Sequence, residues 1–146
     1  MERHILFEER RLHNLIFRKM RCISGDDKER RRYKLQGMIV SYLCEHPGER
    51  ICQKDLESEF FVRGSTMATA ISQLEQEGYV ERKSDNVDRR LKVVTPTESA
   101  KSAYENLSVH FRDMEKTLTR GISPEELSVY FKVVDKICNN LEAENK

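Results

Sequence analysis

Charge of one sign is what this chain has little of. Its 26 Lys and Arg stand against 25 Asp and Glu, a formal net charge of +1 over 146 residues. A polycation that coats nucleic acid by bulk charge is thereby excluded, and any contact with phosphate has to come from local clusters. Long apolar runs are missing as well. Charge interrupts Met1 to Ile23 every few positions, and nowhere else is there the stretch of about 20 apolar residues that a membrane helix needs. With no secretory leader pattern either, a soluble, cytoplasmic protein with no membrane partner is expected. Cysteine is sparse: Cys22, Cys44, Cys52 and Cys138 show no C-x-x-C spacing, and in a reducing compartment they read as free thiols packed as small apolar groups. The six glycines fall at helix ends and turns. They form no glycine-rich phosphate loop, Walker loop or nucleophile elbow, and no carboxylate pair suggests a catalytic pocket. No enzyme, no cofactor and no catalytic residue is expected.

What is present is a dense alternation of charged and apolar residues, 35% and 38% of the chain, suited to helices that are wet on one face. Leu12, Leu15, Ile16 and Met20 recur at helical spacing and predict a helix over Ile5 to Ile23, broken by Ser24-Gly25-Asp26-Asp27. A second helix carries Leu35, Met38, Ile39, Tyr42 and Leu43 and ends at His46-Pro47-Gly48. Ile51 and Cys52 suggest a short edge strand. A third helix spans Gln53 to Phe60, with Leu56 and Phe60 inward. A fourth starts near Arg63 to Ser65 and stops at Gly78. Tyr79 to Lys83 and Leu91 to Val94 read as two strands around the turn-forming loop Ser84-Asp85-Asn86-Val87-Asp88.

Helix, turn, helix, strand, loop, strand is an order that delivers one helix to a DNA major groove and a charged loop to the neighbouring backbone or minor groove. The fourth helix has the surface such a role needs. Met67, Ala70, Ile71 and Leu74 share one face, while Ser65, Thr66, Ala68, Thr69, Ser72 and Gln73 form an opposite face that is small, polar and uncharged. Short side chains allow close approach, and Ser, Thr and Gln bond to base edges or phosphates. Gln53 and Lys54 open the third helix, where free N–H groups and the helix dipole favour a phosphate. Two basic clusters flank the module: Lys28, Arg30, Arg31, Arg32 and Lys34 before it, and Arg82, Lys83, Arg89, Arg90 and Lys92 around the loop. Set against this is the plain alternative of solvated faces and an ordinary amphipathic helix.

Two long helices follow. Ala100, Ala103, Tyr104, Leu107, Phe111, Met114 and Leu118 form one apolar stripe; Leu127, Tyr130, Phe131, Val134, Ile137, Cys138 and Leu141 form another, opened by the capping box Ser123-Pro124-Glu125-Glu126. Left in water, such stripes would forfeit about 25 cal/mol per Å² of burial. The N- and C-terminal helices are therefore expected to pair with a second chain, so that a two-fold homodimer presents two reading helices about 34 Å apart to a pseudo-palindromic operator. The alternative is a monomer whose terminal helices cover its own core.

Asp88-Arg89-Arg90-Leu91-Lys92-Val93-Val94-Thr95-Pro96-Thr97, with Arg63-Gly64-Ser65-Thr66 and Gln73-Leu74-Glu75-Gln76-Glu77-Gly78 upstream, resembles the wing and recognition helix of the multiple-antibiotic-resistance-regulator (MarR) family of bacterial transcription factors. The order of helices agrees over nearly the whole chain. Pro96 and Ala100 depart from the family's usual Leu and Gly, and Arg63 stands where a capping Ser is common. The resemblance implies that Arg90 reaches the minor groove, that Asp88 orients it, and that Arg63 exchanges a cap for a phosphate or base contact. Arg89 is a neighbouring phosphate contact or a solvated residue. It also implies a small anionic or phenolic ligand held between the dimerisation helices and the reading module. Some relatives sense peroxide through an N-terminal cysteine, which here would be Cys22 beside Arg18, Lys19 and Arg21; others sense zinc, for which only a spatial pairing of His46 and His110 is available.

The expected fold is mainly α with a small β-wing (α+β): a winged helix-turn-helix over residues 33–97, with dimerisation helices at 1–32 and 98–146. The expected function is a sequence-specific, homodimeric, DNA-binding transcriptional repressor of MarR type. Its expected DNA-binding residues are Gln53, Lys54, Arg63, Gly64, Ser65, Thr66, Thr69, Gln73, Asp88, Arg89 and Arg90; no metal site is expected. A winged helix that binds protein, and an architectural DNA binder without sequence preference, are the alternatives. The first should expose an apolar anchor on the reading helix; binding by the second should follow salt and ignore sequence.

Overall fold

A computed structural model describes residues 2–23 and 35–145, the side chains of residues 21–23 and 107 excepted. The helices are α1 (Ile5–Ile23), α2 (Leu35–Glu45), α3 (Gln53–Phe60), α4 (Gly64–Gln76), α5 (Glu98–Thr119) and α6 (Pro124–Glu144); the strands β1 (Val80–Ser84) and β2 (Lys92–Pro96) lie between α4 and α5. The fold is mostly helical with one two-stranded antiparallel sheet, and β1–β2 is the wing. None of the helices described is long and apolar enough to cross a membrane. The helix-breaking segment expected at Ser24–Asp27 and the basic cluster Lys28, Arg30, Arg31, Arg32 and Lys34 lie outside the described residues.

One core unites the central elements. Ile39 and Leu43 of α2, Leu56 of α3, Met67, Ile71 and Leu74 of α4, Val80 and Val94 of the strands and Ala100 of α5 are buried together. The inward face expected for α4 is the buried one. Phe60 packs against this core half-buried.

Hydrogen bonding sets the element ends. At the end of α4, Gly78 takes φ +78°, its N–H bonds the Glu75 carbonyl at 3.1 Å, and the Tyr79 N–H bonds the Leu74 carbonyl at 2.8 Å. These are the paired bonds of a Schellman cap. Tyr79 is thereby drawn into the helix end, and β1 starts at Val80, one residue later than expected. Leu91 is held by the turn, accepting from the Asp85 N–H at 2.9 Å and donating to the Asp88 carbonyl at 3.0 Å. β2 therefore runs from Lys92 to Pro96 instead of Leu91 to Val94. Pro96 ends the ladder opposite Val80, a terminal position that tolerates the missing donor. The β2–α5 junction is closed by Thr97. Its hydroxyl donates to the Gly78 carbonyl at 2.6 Å and accepts from the Ala100 N–H at 3.3 Å. The edge strand expected at Ile51–Cys52 is a single bridge, Cys52 to Val93, with the Val94 N–H on the Ile51 carbonyl at 2.8 Å.

The turn between α3 and α4 carries a second left-handed residue, Phe61 at φ +50°, where a side chain is strained. The capping box of α6 forms as expected: the Ser123 N–H donates to Glu126 at 2.8 Å and the Glu126 N–H to the Ser123 hydroxyl at 3.1 Å.

Within one chain the outer helices leave much apolar surface uncovered. Ile5, Leu6, Phe7, Leu12, Leu15 and Phe17 of α1 are exposed, as are Leu118 of α5 and Val129, Tyr130, Phe131, Val133 and Leu141 of α6. Ile16, Met20, Phe111, Met114, Leu127, Val134, Ile137 and Cys138 are half-buried, and α6 buries no residue fully.

Candidate nucleic-acid interface

The reading helix α4 turns its uncharged face to solvent. Ser65, Thr66, Thr69 and Gln73 are exposed, and Ala68 and Ser72 half-exposed. Ser65, Thr66, Thr69 and Gln73 border a groove of about 830 Å³ shared with Leu35 and Gln36 at the start of α2. The Thr69 hydroxyl donates back to the Ser65 carbonyl at 3.0 Å, and the Gln73 side-chain oxygen accepts from the Gln36 amide.

The N-terminal end of α4 is fixed from α3. The Gln53 amide donates to Glu57 at 2.9 Å and to the Gly64 carbonyl at 3.4 Å. Gln53 is therefore half-buried and engaged within the protein. Gly64 lies close to α3: a Cβ there would meet the Glu57 carboxylate oxygen at 3.2 Å. Arg63 is the extended N-cap with no side-chain cap bond, and both Arg63 and Lys54 are exposed. The start of α3 already carries a carboxylate, since Asp55 accepts the Cys52 N–H at 2.7 Å.

In the wing, Asp88 and Arg90 are joined as the resemblance implies. The Arg90 guanidinium donates to both Asp88 carboxylate oxygens at 3.1 and 3.3 Å, and the Arg90 N–H donates to one of them at 3.1 Å. The Arg90 side chain is 91% exposed. It is thus held at its base and open at its edge. The guanidinium beside it, followed by the Arg90 backbone N–H, holds the Asp88 carboxyl below its usual range. Arg89 is exposed and makes no ion pair among the described residues. Other wing cations are spent inside the protein. Arg82 donates to Glu75 at 2.9 and 2.6 Å and to Ser72 at 3.4 Å, tying β1 to the end of α4. Lys83 pairs with Glu81 at 3.4 Å, and Lys92 donates to Ser84 at 2.9 Å.

Two residues of this region had no local signal. Asp85, read from the sequence as one more turn former, is the one buried charged side chain among the described residues, 6% exposed. It accepts a side-on pair of bonds from Arg50, at 2.8 and 2.6 Å, and the Asp88 N–H at 3.0 Å. The partners are 35 residues apart, beyond any helix or strand periodicity.

Together these features make a polar reading face, a charged wing and internal ties that fix one against the other. Residues 34–91, from just before α2 through the wing loop, match the sequence profile of the MarR family. The chain superposes on the MarR protein from Peptoclostridium difficile, 26% identical, with 99% of this chain and 91% of that one covered at a TM-score of 0.73. Over its reading module the chain is similar to the MarR family. It is similar to the HTH-type transcriptional regulator YwhA of Bacillus subtilis, 28% identical over 103 residues, which are 70% of this chain and 73% of the relative. Its fold is also that of MepR from S. aureus, solved as a DNA complex, at 22% identity and a TM-score of 0.74 over 95% and 99% of the two chains. The matched profile, the relative and the superposed structure are those of transcriptional regulators with a winged helix-turn-helix, not of enzymes.

The sensing residues considered for relatives fare differently. The side chain of Cys22 lies outside the described residues. Cys44, Cys52 and Cys138 are free, and burial is the main cause that pushes the Cys44 thiol up. The His46 Nδ1 lies 2.7 Å from the Tyr42 carbonyl, with the ring 4.1 Å from the Tyr42 ring. No group of three or more His, Cys, Asp or Glu that could hold a metal occurs among the described residues.

Proposed function

We propose that the protein is a cytoplasmic homodimeric repressor that binds a pseudo-palindromic operator. In each half-site α4 enters the major groove through Ser65, Thr66, Thr69 and Gln73, while Arg63, Gly64 and Lys54 meet the flanking phosphates. Arg90 enters the adjacent minor groove, whose negative potential attracts a guanidinium, and Arg89 meets the backbone beside it. Gln53 serves by tying α3 to the start of α4. Residues 33–97 form the reading unit, and the helices of 1–32 and 98–146 pair the subunits.

The observation that carries this reading is the exposed face of α4. It offers hydroxyls and an amide and lacks the apolar or aromatic anchor that a protein-binding helix would present. The dimer is supported by the apolar surface left open on α1 and α6. Release by a small anionic or phenolic ligand is supported by a cavity of about 800 Å³ between the end of α2, the wing and α5, where Leu43, Pro96 and Tyr104 meet Arg50 and Lys101. Such a ligand acts only if it binds the DNA-bound and free states unequally.

Selection of binding sites from random double-stranded DNA tests the reading. An inverted repeat with half-sites about one helical turn apart is expected. Recovery of no enriched sequence, or of binding that only follows salt, would remove it.

A further inference from the structure

We propose that Arg50, in the loop before α3, is a positioning residue for the wing: through Asp85 and Asp88 it sets where Arg90 is presented. The inference rests on the reading of Arg90 as a DNA contact.

Apart from the backbone bonds of the Asp85 N–H to Leu91 and of the Leu91 N–H to Asp88, the wing loop has little else to hold it. Its tip residue Val87 is 91% exposed, and no apolar residue between Asp85 and Arg90 joins the core. What anchors the loop is the Asp85 carboxylate. Arg50 grips it by two parallel bonds at 2.8 and 2.6 Å, a geometry that fixes direction as well as distance. The same carboxylate takes the Asp88 N–H at 3.0 Å. Asp88 then holds the Arg90 backbone and guanidinium. An unbroken series of charge-assisted contacts therefore runs from position 50 to position 90.

The near end of this series is rigid. Arg50 directly precedes Ile51 and Cys52, which are hydrogen-bonded to β2 at Val94 and Val93. Cys52 is the N-cap of α3. Arg50 is thus attached to the reading module and to the wing strand, and its guanidinium references the exposed tip to both. Its partner Asp85 is held well below the usual carboxylate range, first by Arg50 and then by the Asp88 N–H, so the clasp is charged throughout the neutral range.

The test uses the full-length chain with two variants that break the clasp from opposite ends, Arg50→Gln and Asp85→Asn. They change net charge in opposite directions. If position 50 acted only by attracting DNA phosphate, Arg50→Gln would weaken binding and Asp85→Asn would strengthen it. A positioning role predicts that both weaken affinity for the selected operator at least fivefold. It further predicts that Arg50→Gln adds nothing once Arg90→Ala is present, because both act on one contact. In the free protein, amide exchange at Asp88 and Arg90 should quicken at least tenfold in both variants, and by more than at Ile71 and Leu74, whose exchange follows only the loss of global stability. Unchanged exchange in the loop, a gain of affinity in Asp85→Asn, or full additivity with Arg90→Ala would overturn the proposal. If the wild type selects no DNA sequence, the functional reading falls, and the exchange result still decides whether Arg50 positions the loop.

Discussion

Arg90 combines a tethered base with an open edge. The Asp88 carboxylate occupies its Nε side and the backbone N–H at 3.1 Å, so little conformational freedom is left to lose when the guanidinium meets an acceptor. Arg90→Ala is expected to weaken operator binding at least tenfold in a gel-shift titration with the helical circular dichroism unchanged; an unaltered midpoint would dismiss the assignment. Asp85 makes a different prediction. Its folded-state carboxyl is depressed, chiefly by Arg50. Its contribution to stability is therefore complete above the unfolded value of about 3.9 and is lost as pH falls from there through the folded one. Asp85→Asn should lower the urea midpoint by a constant amount from pH 8 to pH 5, and the gap to wild type should narrow below about pH 4. A gap that widens in acid would contradict the sign.

At the scale of elements, α4 is held by packing on one side and by a cap at its end. Leu56 of α3 is fully buried against it, so Leu56→Ala should cost about 2–5 kcal/mol, read from urea unfolding. Gly78 sits at φ +78° with open space around it. Gly78→Ala meets no clash and should still cost about 1–2 kcal/mol through the left-handed backbone alone. The helices were legible because apolar residues at spacings of three and four report a buried face whatever that face packs against. Met67, Ala70, Ile71 and Leu74 are an example. The strands were legible only to within two residues. Whether Tyr79 belongs to the helix cap or to β1 depends on which carbonyl its N–H reaches, and that is Leu74. The Pro96 and Ala100 departures do not disturb their junction: Pro96 needs no donor at the ladder's end, and Ala100 is buried against the core.

For the whole molecule the balance of apolar surface matters most. A stable pairing of subunits buries about 1,200–2,000 Å², and among the described residues α1 and α6 leave eleven large apolar side chains exposed between them, from Ile5 to Leu141. Replacing Phe131 and Leu141 together by Glu should shift sedimentation at micromolar concentration from dimer to monomer and weaken operator binding more than tenfold. The core formed by α2 to α5 should stay folded, since neither residue belongs to it. A wild type that sediments as a monomer would end the two-fold reading.

Local pattern in the chain was enough to place the helices, the loop between two strands and the uncharged face of α4, because each depends on neighbours within a few positions; the Asp88–Arg90 pair came from the family resemblance. The grip of Arg50 on Asp85, the use of Gln53 and Arg82 as internal ties, and the exact strand ends needed the folded chain. Those contacts join residues brought near one another by a common core, and periodicity along a sequence carries no information about which distant donor will meet a buried carboxylate.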